Sequence, residues 1–391
     1  MNPLYQHCGV TIFEEMSRLA AVHGAINLGQ GFPVGLEPAP LIEAAVRAMR
    51  EDSHQYPSML GLPALRQAVA AANQRFWGLE IDPEREVLIT AGASEALADC
   101  FLALLSPGDE VILFEPAYDV YPVAIRAAGG VPVPVRLDPP DWRLPRPRLL
   151  EAITPRTRLI VINSPMNPTG TLFEAEDLAF LARVLVENTL IAVCDEVYEH
   201  LTFDGRQHQP LMSLPGMRDR CVRIGSAGKT FSVTGWKVGY VTAAPALLTP
   251  IARAHQFVTF TVPPMLQSAV ACGLGFESGY FSDLAATLQA RRDRLAGGLR
   301  RLGLEVLPCA GTYFLCVAAG SFGAETDDRA LARRLVIEAG VATIPLSAFY
   351  LGAGAPAYLR FCFAKDPADL DAAVARIATW LDSRRAGDER G

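Results

Sequence analysis

Of the 35 basic residues in this 391-residue chain, only three are lysines: Lys229, Lys237 and Lys365. An amine can attack a carbonyl and form an imine, whereas a guanidinium stays protonated and is a poor nucleophile. Covalent amine chemistry therefore has three possible addresses. Other chemistry-bearing residues stand at the ends of apolar runs. Asp195 closes the run Leu190–Cys194, where a lone carboxylate is costly to bury and calls for a cationic partner. Tyr198 follows it by three. Asn167 sits in the Pro-rich stretch Ser164–Gly170, a rigid loop presenting an amide. Ser226 lies three residues before Lys229. The small residues Ala91-Gly92-Ala93-Ser94 precede a helical pattern and let backbone N–H groups approach an anion, although such a turn is a weak signal by itself.

The elements that must position these residues read as alternating strands and helices. Short apolar, β-branched runs at Val87–Thr90, Val111–Glu115, Val133–Leu137, Leu159–Asn163, Leu190–Asp195, Val222–Gly225 and Val238–Thr242 predict seven strands. Helical patterns fall between most of them, at Ser94–Leu105, Tyr118–Ala128 and Glu174–Val186. The alternation predicts an α/β fold with a mostly parallel sheet and helices on both faces. The short connection into Gly239 makes one antiparallel strand plausible. In such sheets ligands collect at the carboxyl ends of the strands. Four successive strand ends then offer an anion nest, an Asn, an Asp/Tyr pair and a Ser/Lys pair. That set meets the needs of pyridoxal phosphate. The aldehyde needs an amine, the pyridine nitrogen a carboxylate, the phenolic oxygen hydrogen-bond donors, and the phosphate a helix terminus, a hydroxyl and a cation.

Three stretches, Asn163–Gly170, Asp195–Tyr198 and Ser226–Gly239, resemble the signatures of class I aminotransferases, the aspartate-aminotransferase superfamily of fold type I. The likeness runs from Ile12 to the C-terminal helix. The stretches Asn27–Pro33, Gly228–Lys237 and Leu359–Lys365 resemble the branch that holds glutamine transaminase K/kynurenine aminotransferase and the bacterial methionine aminotransferases. The resemblance implies a seven-stranded sheet in a large domain with a smaller α+β domain. It also implies residue roles. Lys229 would be the Schiff-base lysine and proton shuttle. Asp195 would pair with the pyridine nitrogen, Asn167 and Tyr198 would hold the phenolic oxygen, and Tyr118 would stack on the ring. Ala93, Ser94, Ser226 and Lys237 would hold the phosphate. Tyr56 would reach the phosphate of a neighbouring subunit, which implies a homodimer with a shared site. Arg360 would fork onto the substrate α-carboxylate in two parallel hydrogen bonds, with the Gly31 backbone assisting. Phe13, Phe260 and Thr261 would line the side-chain pocket.

The implied reaction is a two-half transamination between an L-amino acid and a 2-oxo acid. No second cation presents itself for a dicarboxylate, so methionine, glutamine, phenylalanine or kynurenine is favoured over aspartate. Ser94 and Thr261 depart from the kynurenine-active pattern and lean toward methionine or broad specificity. A cysteine-S-conjugate β-lyase is the rival enzyme. A non-catalytic regulator built on the same fold is the rival from another class; such proteins usually add a DNA-binding segment, and no basic helix-turn-helix is seen here.

Composition bounds the rest. Half the residues are hydrophobic and the formal net charge is −7, with no basic stripe, which argues against nucleic acid as a partner. No apolar run is long enough to span a membrane, and the N-terminus does not read as a secretory signal. The eight cysteines (Cys8, Cys100, Cys194, Cys221, Cys272, Cys309, Cys316, Cys362) are scattered without a C-x-x-C pair. A reducing cytoplasm fits that best. The six histidines show no metal-ligand spacing, so no metal site is expected. After about residue 280 the pattern changes. A long helix over about Ser282–Leu302 leads to strands near Leu304–Leu307, Tyr313–Val317 and Leu359–Phe363. The expected division is an N-terminal arm over 1–40, a large cofactor-binding domain over 41–280 and a small domain over 281–391. The Pro-rich stretch Pro132–Pro147 reads as a surface loop flanking a strand.

Overall fold

A computed structural model describes residues 2–6, 9–323 and 327–388; Cys8 lies outside them. Seven strands form the main sheet: β1 (Val87–Thr90), β2 (Glu110–Glu115), β3 (Val131–Arg136), β4 (Thr157–Asn163), β5 (Ile191–Asp195), β6 (Cys221–Ser226) and β7 (Gly239–Ala243). Their spatial order is β1-β7-β6-β5-β4-β2-β3. Only β7 runs antiparallel to its neighbours, β1 and β6. The tight return from β6 through Lys229 to Gly239 is too short for a right-handed crossover, and a short link permits only an antiparallel partner.

The strands are apolar on both faces because both faces are covered. Leu88, Val111, Val161, Val193, Val222 and Val241 pack against α1 (Ala93–Leu104) and α2 (Pro245–Val258). Ile89, Ile112, Ile160, Ile162 and Cys194 face the other way into a larger core. That core takes in α3 (Ser278–Arg301), α4 (Pro367–Asp388) and a three-stranded antiparallel layer of β8 (Phe314–Ala318), β9 (Ile344–Pro345) and β10 (Tyr358–Cys362), ordered β9-β10-β8. The N-terminal helix Ile12–His23 leads into Ile26–Asn27, which pairs in parallel with Val341–Ala342. Among the described residues no helix is long and apolar enough to cross a membrane.

Two expectations need correction. Leu304–Leu307 makes no strand; it contributes one isolated bridge, Val306 to Val317. The stretch Pro132–Pro147 is not a plain surface loop. Pro132 and Pro134 lie within β3, an edge strand, where a missing N–H costs no ladder bond. Trp142 then turns inward and is buried against Tyr358.

One glycine is required by a close approach beside the site. Gly225, on β6 just before Ser226, has the Tyr240 ring where a Cβ would stand. Gly225→Ala is expected to lower stability by about 1–3 kcal/mol through overpacking, read as a lower denaturation midpoint.

Candidate active site

The carboxyl ends of β1, β4, β5 and β6 open onto one cavity of ≈ 350 Å³. Lys229, Asp195, Tyr198, Asn167, Tyr118, Ala93, Ser94, Ser226, Lys237, Gly31, Phe13 and Arg360 all line it. The sequence positions of these residues span most of the chain, and the sheet order is what gathers them.

Lys229 follows β6 within the short helical turn Ala227–Thr230. Burial lowers its pKa to about 8; Asp195 works against that fall, while Arg360 and Lys237 add to it. Its ammonium stands 5.8 Å from the ring centres of both Tyr198 and Tyr313. Asp195 ends β5 and is buried, and burial raises its pKa. Tyr121 donates to its Oδ2 at 2.6 Å and the Val197 N–H to its Oδ1 at 3.4 Å. Those bonds and the charge of Lys229 draw the pKa partly back.

The residues alternating with Asp195 and Tyr198 hold the turn from behind. Glu196 and Glu199 point the other way and accept from buried Arg223 on β6, at 2.6 and 2.8 Å. His208 meets Glu196 at 3.0 Å, and Trp77 donates to Glu199 at 2.9 Å. Burial alone would raise the Glu196 pKa, but Arg223 and His208 hold it at about 2. One guanidinium thus ties the strand that ends in Asp195 to the strand that ends in Ser226 and Lys229.

Arg360, on β10, is 1% exposed. It donates to Asn167 Oδ1 at 2.8 Å and to the Gly29 carbonyl at 2.7 Å, while its Nε–H has no partner. Its guanidinium lies 3.9 Å from the Phe314 ring centre and 5.1 Å from that of Phe13. Asn163 fixes the Asn167 loop by accepting the Asn167 N–H at 2.8 Å and donating to the Asp195 carbonyl at 2.8 Å.

At the entry to α1, Gly92 has φ +78° and Lys237 has φ 55°. A Cβ on Gly92 would sit 3.3 Å from Lys237 Nζ, so the glycine leaves the turn open beside an ammonium. The first-turn N–H groups of α1, Ser226 and Lys237 together suit an anion.

The comparisons with known proteins agree with this geometry. Residues 23–377 match the family described as "Aminotransferase class I and II". The chain belongs to that family. It is 39% identical to a methionine aminotransferase of Escherichia coli, over 94% of this chain and 95% of the relative. It is 36% identical to the human kynurenine–oxoglutarate transaminase 1, over 94% of each. The solved structure of an N-succinyldiaminopimelate aminotransferase from Mycobacterium tuberculosis superposes with a TM-score of 0.95 at 41% identity, covering 97% of this chain and 100% of that one.

Within this aminotransferase, two expected pocket residues lie elsewhere. Phe260 and Thr261 do not line the cavity. Phe260 has φ 71° as the chain leaves α2 and is 40% exposed, its ring edge-on to Tyr56 at 5.5 Å. Tyr56 is 81% exposed, so it is no buried core aromatic, and it does not line the cavity of its own chain.

Other residues went unnoticed. Tyr121 carried a readable signal, since it lies one helical turn after Tyr118. Asn163 lay in the recognised stretch. Phe32 lay in the recognised stretch Asn27–Pro33, whereas Tyr313 and Phe314 carried no such signal, because only the packing of β8 brings them beside Lys229 and the cavity. Behind the anion cradle, Glu95 and Asp99 of α1 meet His255 of α2, at 2.8 and 3.6 Å from its Nδ1. Their ligand atoms lie within 4.8 Å of one another, a grouping of possible metal ligands that sequence spacing did not reveal. A proton on His255 offsets one of the two carboxylate charges. Burial alone would lower the His255 pKa, but the two carboxylates raise it to about 9. Glu95 also accepts the Ala91 N–H of the cradle.

Because His255 binds its proton more tightly folded than unfolded, its stabilisation is complete below about pH 6.5. It is lost as pH rises toward about 9. The gap in thermal midpoint between wild type and His255→Gln is expected to be widest near pH 6 and to close by about pH 10.

Proposed function

We propose that this aminotransferase works with pyridoxal phosphate and moves the amino group of an L-amino acid with an apolar, aromatic or amide side chain to a 2-oxo acid. The observation that carries this is the meeting of Lys229, Asp195, Asn167 and Arg360 in one cavity from separate strand ends. The donor set fits the cofactor. Asp195 is a buried carboxylate that lacks a full cationic partner, which a protonated pyridine nitrogen provides. The Gly92 turn is an anion cradle open beside Lys237. Pyridoxal phosphate, when bound, supplies an aldehyde for the amine and a ring that withdraws electrons from the α-carbon.

In this reading Lys229 holds the cofactor and Asp195 faces its ring nitrogen. Asn167 and Tyr198 serve the phenolic oxygen, and Tyr118 stacks on the ring. Ala93, Ser94, Ser226 and Lys237 serve the phosphate. Arg360 takes the substrate carboxylate, and its unpartnered Nε–H is a buried donor that a carboxylate satisfies. Arg360 thereby orients the α-hydrogen toward Lys229. With its pKa near 8, the Lys229 amine can accept that proton at Nζ and give it back close to neutral pH. Phe13, Phe32 and Phe314 make the wall apolar, and the lining cations are Lys229, Lys237 and Arg360, each already assigned. A distal carboxylate, as in aspartate or N-succinyldiaminopimelate, finds no further cation among the described residues that line the cavity.

We infer a homodimer in which Tyr56 reaches a neighbouring copy's phosphate. The exposed aromatic patch of Tyr56, Phe257 and Phe260 supports it. The arm 1–40, large domain 41–280 and small domain 281–391 are our division of the chain. The seven described cysteines are unpaired, which supports the cytoplasm as its compartment.

Lys229→Ala is expected to lose the visible absorbance of the cofactor-loaded protein and to lower transamination by at least about 10²–10⁴-fold. Normal turnover by that variant would overturn the assignment. A panel of amino donors against one fixed oxo acid is expected to rank methionine, glutamine and phenylalanine above aspartate and N-succinyldiaminopimelate. Pyruvate released from a β-substituted cysteine without an oxo acid would instead identify a β-lyase.

A further inference from the structure

Lys365 is the lysine that the chemistry above leaves unused. It is 5% exposed, and among the described residues no carboxylate lies within ion-pair distance of its ammonium. A buried ammonium without such a partner is costly, and an apolar side chain of the same length would fill the space without that cost. What Lys365 has instead is a single residue. Its Nζ donates to the Phe32 carbonyl at 3.0 Å and stands 3.9 Å from the centre of the Phe32 ring. The ammonium is buried, but the Phe32 ring is 43% exposed, so the ring contact is of the weaker, partly hydrated kind.

Phe32 belongs to the irregular segment that contributes Gln30, Gly31 and Phe32 to the cavity wall. This segment has no ladder of its own, and its backbone is gripped from β10 and the elements around it. The Gly29 carbonyl accepts from Arg360 at 2.7 Å, the Gly31 carbonyl from Tyr313 at 2.8 Å, and the Phe32 carbonyl from Lys365. The Val34 N–H donates to the Ala364 carbonyl at 3.1 Å. Gly31 is pressed against Phe314, whose ring lies 2.7 Å from where a Cβ would stand. Arg360 and Lys365 are five residues apart in one stretch of chain. The first grips the segment's start and the second its end.

We propose that Lys365 is a positioning residue for substrate: it holds the Phe32 carbonyl and ring together so that Gln30–Phe32 stays folded against the cavity, where it walls in the substrate side chain. Its role is in recognition of the amino acid and not in holding the cofactor, whose assigned contacts all come from other elements. This rests on the transamination reading for the kinetic readout.

The test is Lys365→Met, which keeps the chain's length and removes both the donor and the charge. Far-UV circular dichroism checks that the variant folds, and the holoenzyme's visible absorbance that the cofactor site is intact. The expected result is a rise of about tenfold in KM for the preferred amino donor, with kcat changed less than about twofold. Phe32→Leu, which removes the ring from a partly exposed residue, is expected to shift KM in the same direction. Adding Phe32→Leu to Lys365→Met should cost less than Phe32→Leu costs in wild type, because the ring's contact with the ammonium is already gone. Hydrogen exchange across residues 28–34, measured without added cofactor, should quicken in Lys365→Met. A fall in kcat at unchanged KM, loss of cofactor absorbance, or unchanged exchange in that segment would overturn the proposal. If wild type itself fails to transaminate, the functional reading falls, and the exchange result still decides whether Lys365 orders the segment. Should Lys365→Met not fold, Lys365→Gln, which removes the charge and shortens the side chain, carries the same KM and exchange outcomes.

Discussion

Asp195 is a carboxylate delivered to the end of a fully buried strand, and much of the site is arranged around the cost of that charge. In water its ionised form is cheap; at the end of β5 it must be compensated. Tyr121 and the Val197 N–H give it hydrogen bonds, and Lys229 gives it a charge at longer range. None of these neutralises it outright. The strand end is therefore built for a further cation, and the same burial that raises Asp195 lowers Lys229 toward neutrality. One physical cause, a cavity that solvent shares only in part, tunes the acid and the amine in opposite directions.

Rigidity around that cavity comes from ionic contacts on its far side. Glu196 and Glu199 alternate with Asp195 and Tyr198, so side chains that leave the cavity find Arg223 while those that face it stay free for chemistry. A buried guanidinium with two carboxylates is no large source of net stability. Its geometry is its value here, because Arg223 sits on β6 and couples the turn after β5 to the turn that carries Lys229. Arg360 does similar work across the two layers. It binds Asn167 of the β4 loop and Gly29 of the arm at once, so one guanidinium joins both walls of the cavity.

Much of the site was legible before any coordinates. Lys229 stood out because so few amines exist in the chain, Asp195 and Ser226 because each closes an apolar run, and Asn167 because a rigid Pro-rich loop presents its amide. Strand periodicity is local, and the positions of β1 to β7 follow from it with shifts of one or two residues. Elements whose identity depends on partners were harder. Leu304–Leu307 has a strand's composition, but its pairing with β8 is limited to the bridge of Val306 to Val317 and does not extend into a strand. Trp142 sits in a Pro-rich stretch that reads as surface, and only its contact with Tyr358 explains its burial.

What the sequence determined by itself was the chemistry: one amine after a strand, one acid at the end of another, and one guanidinium near the C-terminal helix. Those are properties of residue type and short-range pattern. Which residues share the cavity was decided by the tertiary structure, because strand order and the packing of β8 to β10 against the arm are non-local. Thus Phe314 and Phe32 entered the wall from distant segments, Phe260 turned outward to Tyr56, and His255 met Glu95 across two helices. Lys365 shows the division most clearly. Its sequence marks it only as the third lysine, whereas its burial against one carbonyl and one ring exists only in the folded chain.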